Sequence, residues 1–275
     1  MSAFTAFQRL VPQHGLSRLV GRVAASELAP LRAPFVHLFA KAYNVNLQEA
    51  ARTSLSEYRS FNDFFTRELR EGARPVTSEA NAIASPSDGA VSQIGRIERG
   101  ELLQAKGVRY SFEGLAAEAA HPDFEGGAFV TIYLAPSDYH RVHLPMTGTL
   151  HRSVAVPGDL YSVNSHTEEE IPGLFQRNER LVTEWHTDAG RVLVILVGAM
   201  IVASIQTVWG GPASPYRMHE EFTHSDIQLE RGDEIGRFLL GSTVILCFEK
   251  GRAELDDTLQ PGTVVQMGQS LGVTT

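Results

Sequence analysis

Residues 192–216 carry no charged side chain. A run of that length has two physical outcomes: a helix across a bilayer, or strands buried in a core. The residues favour strands. The stretch 192–203 is dense in β-branched side chains, is interrupted at Gly198, and is followed by Ser204, Gln206 and Thr207 before Gly210-Gly211-Pro212. Two buried strands are expected, over 191–197 and 200–208. The apolar stretch 238–246 reads the same way, with Gly241-Ser242-Thr243 between its halves. Residues 234–238 are expected to lead into it and 242–248 to continue it. A glycine inside a strand pattern marks a bend, a bulge or a close approach to the backbone.

Residues 71–81 are polar, contain Pro75 and read as a linker. From Ile83 onward, short strands alternate with turns. The turn signals are Asp88-Gly89, Pro136 after the apolar run 129–134, and Pro157-Gly158-Asp159. Residues 259–269 have the turn-strand-turn texture of hybrid barrels. Residues 161–180 read as a loop, with Glu168-Glu169-Glu170 as a solvated acidic face. Residues 1–70 look helical. Leu16, Leu19, Val20 and Val23 make one apolar stripe, with Arg18 and Arg22 off it. Leu31, Phe35, Leu38 and Phe39 make a second, and Ser60 with Asp63 resembles a capping box. The expected class is α+β: a helical region, 1–70, followed by a β-rich, hybrid-barrel-like core, 71–275.

Charge is unevenly placed. Residues 1–45 hold Arg9, Arg18, Arg22, Arg32 and Lys41 against Glu27, a net of +4, which leaves −12 for the rest of a chain whose net charge is −8. A basic amphipathic end on an acidic body suits an anionic membrane surface and argues against nucleic acid. No signal peptide is apparent at the start. The single cysteine, Cys247, lies in an apolar run and reads as a buried hydrophobe.

Ser242 can act as a nucleophile only if a base lies near it. Histidine suits that role, and His140 and His143 lie close together in sequence. On an extended segment their side chains point to opposite faces, and on a helical turn they share one. No further ligand stands at a usual metal spacing beside them, so no metal site is expected. Asp88 before Gly89 is by itself a turn former.

Three segments carry a resemblance: Ser137-Asp138-Tyr139-His140-Arg141-Val142-His143-Leu144-Pro145, Pro86-Ser87-Asp88-Gly89-Ala90-Val91, and Leu240-Gly241-Ser242-Thr243. They resemble the signature of the bacterial-type, pyruvoyl-dependent phosphatidylserine decarboxylase family. Further landmarks of that family are Tyr58-Arg59-Ser60-Phe61-Asn62-Asp63-Phe64-Phe65, Gln104-Ala105-Lys106-Gly107, Val156-Pro157-Gly158-Asp159-Leu160, Arg177-Asn178-Glu179-Arg180, Val197-Gly198-Ala199 and Thr207-Val208-Trp209. Together they follow the family's order along nearly the whole chain.

The resemblance implies self-cleavage between Gly241 and Ser242. The products are 1–241 and 242–275, the latter headed by a pyruvoyl group made from Ser242. That group decarboxylates phosphatidylserine to phosphatidylethanolamine and carbon dioxide through a Schiff base, serving phospholipid biosynthesis. The resemblance implies Asp88, His143 and Ser242 as the charge relay of cleavage. His140 is the candidate for proton transfer in turnover, with His143 its rival, and Arg141 is a candidate for contacting the lipid phosphate. It also implies a homodimer of processed protomers, peripheral on the cytoplasmic face of the cell membrane. Two other readings use the same residues: a Ser-His-Asp lipid hydrolase, disfavoured because Ser242 lacks a Gly-x-Ser-x-Gly elbow, and a membrane-binding module without chemistry.

Overall fold

The structure is a computed structural model and describes residues 5, 8, 13–199, 205–212, 214–239 and 242–275. Two helices come first, α1 (Gln13–Ala24) and α2 (Ala29–Ala42), and Pro30 sits in the first turn of α2, where its missing N–H costs nothing. A short helix, α3 (Phe61–Phe65), starts at Ser60, whose hydroxyl accepts from the Asp63 amide at 3.1 Å. Tyr58, Phe61, Phe64 and Phe65 are fully buried, and Phe35 stacks on Phe61 at 4.1 Å. The second apolar stripe therefore divides. Phe35 and Phe39 close over this aromatic cluster, whereas Leu31 and Leu38 face solvent. Of the first stripe, Leu19 and Val23 are exposed; the side chains of Leu16 and Arg18 lie outside the described ones.

The rest is β-rich. In chain order the strands are β1 (Ala82–Ala84), β2 (Gly89–Arg96), β3 (Glu101–Ala105), β4 (Val108–Ser111), β5 (Ala128–Leu134), β6 (Arg141–His143), β7 (Gly148–Val156), β8 (Arg180–Thr187), β9 (Gly190–Val197), β10 (Ile205–Thr207), β11 (Glu220–Thr223), β12 (Gln228–Leu229), β13 (Glu234–Phe238), β14 (Ser242–Phe248), β15 (Ala253–Leu255), β16 (Val264–Val265) and β17 (Ser270–Thr274). The largest sheet runs β11-β7-β8-β9-β14-β5-β2-β16, with β12 beside β7, and all its pairs are antiparallel. Smaller sheets are β10-β13-β6, β1-β17-β15 and β3-β4. None closes into a barrel among the described residues.

Both faces of the large sheet are covered. Val194, Leu196, Val244 and Leu246 pack into one core, and Leu193, Ile195, Ile245 and Cys247 into another. A strand buried on both faces loses its alternation and reads as a continuous apolar run. That explains the uncharged sequence of β9 and its neighbour β14.

One expectation needs correcting. Residues 234–248 are not one strand. β13 belongs to the β10-β13-β6 sheet and β14 to the large one, so the chain changes sheets across 239–241. Leu240 and Gly241, and residues 200–204 of the expected strand before β10, lie outside the described residues. The loop 161–180 also differs, because it holds two short helices, α4 (Ser165–Glu170) and α5 (Leu174–Arg177). Nor is its acidic run wholly solvated. Glu168 is 4% exposed and accepts a bond from the Ser92 hydroxyl, and burial pushes its carboxyl up to about 7.

Candidate active site

The switch between sheets gathers the functional residues. Ser242 opens β14 opposite Leu134, the last residue of β5, and is fully buried. The chain leaves β5 through Ala135 and Pro136 and returns as His140, whose carbonyl accepts from the Phe238 amide at the end of β13. His140 is thereby fixed where the two sheets meet. Its Nδ1 lies 3.4 Å from Ser242 Oγ and its Nε2 lies 3.0 Å from the Ala135 carbonyl. A carbonyl only accepts, so Nε2 carries the proton and Nδ1 turns its lone pair to the serine hydroxyl. Burial, with the nearby charge of Arg67, lowers His140 to about 3, so the ring is neutral. The Phe65 ring stacks on it at 4.0 Å and holds its plane.

His143 is placed differently. It ends β6, donates through Nδ1 to the Gly232 carbonyl at 2.7 Å, and accepts the Tyr139 hydroxyl on Nε2 at 2.9 Å. Burial lowers its pKa as well. Asp88 sits just before β2. Its oxygens take bonds from Arg74 Nε and Nη2, at 2.9 and 2.7 Å, and from the Met267 amide at 2.9 Å. Arg74 also binds Glu49 at 2.7 Å. The His143 amide donates to Pro86, so the two motifs are neighbours through backbone, while no side-chain bond joins Asp88 to His143, or His143 to Ser242, among the described residues. Gly89 follows Asp88 for a steric reason: a Cβ there would stand 2.4 Å from the Tyr133 carbonyl oxygen. Gly241 lies outside the described residues.

Arg141 is engaged on every nitrogen. It meets Glu234 at 2.9 Å, Glu68 at 3.1 Å and the Thr66 carbonyl at 2.9 Å, which ties β6 to β13 and to the segment after α3. Arg67, next to Thr66 in sequence, is 4% exposed and gives only Nη2, to the Ser137 and Asp138 carbonyls, while Nε and Nη1 have no hydrogen-bond partner among the described residues. Arg67, Arg74, Phe65 and Tyr139 carry no chemical signature of their own in sequence. They are recognisable only once the fold sets them against His140, Asp88 and His143.

Other landmarks converge beside β14. The Asp159 amide donates to the Arg177 carbonyl, the Glu179 amide to Asp159, and the Gly198 amide to Glu179, while Val197 pairs with Thr243. At the far end of the sheet His151, Glu184 and His186 bring ligand atoms within 4.8 Å of one another. Glu184 already takes bonds from Arg152 and His186 there, each at 3.2 Å.

The chain matches a family model described as "Phosphatidylserine decarboxylase" over residues 61–273, and a second, described as "PSD", over residues 3–44. A phosphatidylserine decarboxylase proenzyme of Acinetobacter baumannii (strain AYE) is 50% identical over 273 residues, covering 98% of this chain and 96% of the relative. The proenzyme of the same name from Psychrobacter cryohalolentis is 49% identical over 274 residues, covering 99% of both chains. That of Acinetobacter baylyi is 49% identical, covering 99% of this chain and 95% of its own. With matches of this extent, the chain belongs to the phosphatidylserine decarboxylase family.

Proposed function

We propose that this chain is a phosphatidylserine decarboxylase, a carboxy-lyase made as a proenzyme that cuts itself between Gly241 and Ser242. The observation that carries the reading is the contact of a neutral, fully buried His140 with Ser242 Oγ. A serine hydroxyl becomes a useful nucleophile when a lone pair stands ready for its proton. Oγ adds to the Gly241 carbonyl carbon, the peptide C–N bond breaks, and an ester replaces it. Removal of the Cα proton of residue 242 then expels the 1–241 carboxylate. The residue left at the new terminus hydrolyses with loss of ammonia to a pyruvoyl group.

The contact supports His140 as the acceptor of the serine proton. The family resemblance assigns that step to His143 with Asp88, which here are held by Gly232, Tyr139 and Arg74. The position fits a ketone, because Ser242 is shut away from water opposite Leu134 of β5, with His140 against it. When formed, the pyruvoyl group supplies the electron sink for loss of the substrate carboxyl. In turnover the same contact supports His140 as the residue that holds a proton beside position 242.

β14 heads the 242–275 product and is bonded to β5 on one side and β9 on the other, so both products stay in one sheet after cleavage. Among the described residues no helix is long and apolar enough to cross a membrane. We read residues 1–70 as the membrane-associating region and 71–275 as the catalytic core. The exposed leucines of α1 and α2, with the net +4 of residues 1–45, suit peripheral attachment to the anionic cytoplasmic face of the cell membrane.

The test is the intact mass of the purified protein under denaturing conditions. Two chains, split at 241/242 with a pyruvoyl-blocked smaller one, are expected, together with carbon dioxide release from phosphatidylserine micelles. Ser242→Ala should remain one chain with no activity. A Ser242→Ala protein that still splits would overturn self-cleavage at this serine.

A further inference from the structure

Building on this functional reading, we propose that Arg67 is the receptor for the phosphodiester of the lipid headgroup. Two observations point to it. First, Arg67 is 4% exposed, yet two of its three guanidinium nitrogens, Nε and Nη1, are buried with no hydrogen-bond partner among the described residues. A buried donor without a partner is costly, and a buried cation more so. Among the described residues no carboxylate lies within ion-pair distance of Arg67, although Arg74 and Arg141, packed into the same region, each hold two. The fold thus supplies acids to these two arginines and leaves Arg67 with open donors.

Second, Arg67 is built into the wall of the site. Its Nη2 binds the Ser137 and Asp138 carbonyls, at 2.8 and 3.2 Å, in the turn that presents His140. Phe65, two positions earlier, stacks on His140, which touches Ser242. Arg67 is also near enough for its charge to act on His140. In a serine headgroup only a short run of atoms separates the reacting amine from the phosphorus. With the amine at position 242, the phosphate lies only a few bonds away, and Arg67 is tied to that position through the 137–140 turn and His140.

The headgroup offers two anions, and the chemistry chooses between them. A cation gripping the carboxylate would stabilise the charge that decarboxylation has to remove, and so would hold the ground state below the transition state. A cation on the phosphodiester acts equally before and during the reaction, lowering KM without opposing the chemical step. Two adjacent unpartnered nitrogens of a planar guanidinium also match paired phosphate oxygens, which a lysine ammonium does not.

The experiment uses the full chain and its Arg67→Gln and Arg67→Lys variants, each first checked by intact mass for splitting at 241/242. Wild type must split and turn over phosphatidylserine in mixed micelles; if it does neither, the functional reading fails, and this proposal with it. Both variants should still split to completion, Arg67→Gln more slowly because it loses the Nη2 bonds to the turn that presents His140, and turnover is measured on the split protein. Losing a charge-assisted contact should then raise KM about 10- to 100-fold in Arg67→Gln, with kcat within about threefold and Arg67→Lys in between. Glycerophosphoethanolamine, which has the phosphate and no carboxylate, should inhibit wild type and lose potency against Arg67→Gln by the same factor. Unchanged inhibition alongside a raised KM would assign Arg67 to the carboxylate and overturn the proposal. So would an unchanged KM, or failure of both variants to split, which would place Arg67 in the precursor's own chemistry or folding.

Discussion

In α1, α2 and the link between them, leucines face solvent; around the head of β14, a serine, two histidines, an aspartate and an arginine are withdrawn from it. Leu19, Leu28 and Leu38 are 60, 66 and 68% exposed, whereas Ser242 and His140 are at 0%. Each departs from ordinary partitioning, in opposite directions. An exposed leucine forgoes about 1.5–3 kcal/mol of burial, which a lipid surface can return. A buried polar group costs a comparable amount unless it is bonded, and in exchange its protonation state and orientation are fixed. The helices are therefore tuned to something outside the molecule, and the strand head to a reaction inside it.

The largest expected effect separates the two histidines. His140→Ala should slow appearance of the 1–241 and 242–275 products by about 100- to 10,000-fold, as loss of a general base does. His143→Ala should slow it less, because both of its ring nitrogens are bonded away from Ser242. A time course of precursor mass in a cell-free synthesis reads both. The reverse order would return the base to His143 and, through it, to Asp88. Because His140 is depressed to about 3, cleavage should also lack the fall below about pH 6.5 that an ordinary histidine base would impose.

The helices give the next effect. Replacing Leu28, Leu31 and Leu38 together by serine should weaken binding to vesicles containing phosphatidylserine by about 10- to 100-fold, since partial insertion of each leucine contributes a fraction of its burial energy. Thermal stability should hardly change, because these side chains are already in water. A large loss of stability with unchanged vesicle binding would show that they serve the fold.

A smaller effect tests the buried end through pH. His140 and His143 are lowered in the folded protein, so the unfolded chain takes protons that the folded one refuses. Their contribution to stability is present above about pH 6.5 and is lost below it, at up to about 1.4 kcal/mol per pH unit for each. Glu168, raised to about 7, has the opposite sign: its contribution is present below its unfolded value and is lost as pH rises through 7. Over pH 7.5 to 5.5 the terms oppose one another. Glu168→Gln removes one of them, so its stability should fall relative to wild type by about 2 kcal/mol on acidification across that window, measured by urea unfolding. A difference independent of pH would mean that Glu168 is ionised in the fold.

Much of this was legible in sequence, and the omissions have a common cause. The buried strands, the Ser60 cap, the buried Cys247 and the helical start were all readable, because each rests on local periodicity or on one neighbouring group. The break between β13 and β14 was not. Both halves are apolar and β-forming, and only sheet pairing distinguishes one strand from two that meet at a corner. The acidity of Glu168-Glu169-Glu170 suggests solvent, but Glu168 is covered by Ser92 and by the Gln104 side chain, which donates to its carbonyl, and both lie far away in sequence. Likewise, the motifs point to Ser242, His140, His143 and Asp88, but the contacts they hold differ from the Asp88-His143-Ser242 relay that the resemblance implies. Which histidine faces the serine depends on how the turn after β5 is anchored, and Arg67 and Phe65 do that from outside the motif.

Phe65 joins the two regions just compared. It belongs to the aromatic cluster on which α2 packs, and its ring lies flat on His140 at 4.0 Å. Phe65→Leu keeps an apolar side chain there and removes the stacking. The cost should be about 0.5–1.5 kcal/mol, and cleavage should slow by less than about tenfold as the imidazole gains freedom to turn away from Ser242. Vesicle binding should be unaffected, since Leu19, Leu28, Leu31 and Leu38 are untouched. If Phe65→Leu instead weakens vesicle binding and leaves cleavage unchanged, the aromatic cluster serves to pose the helices, and His140 is held by the Ala135 and Phe238 backbone bonds alone.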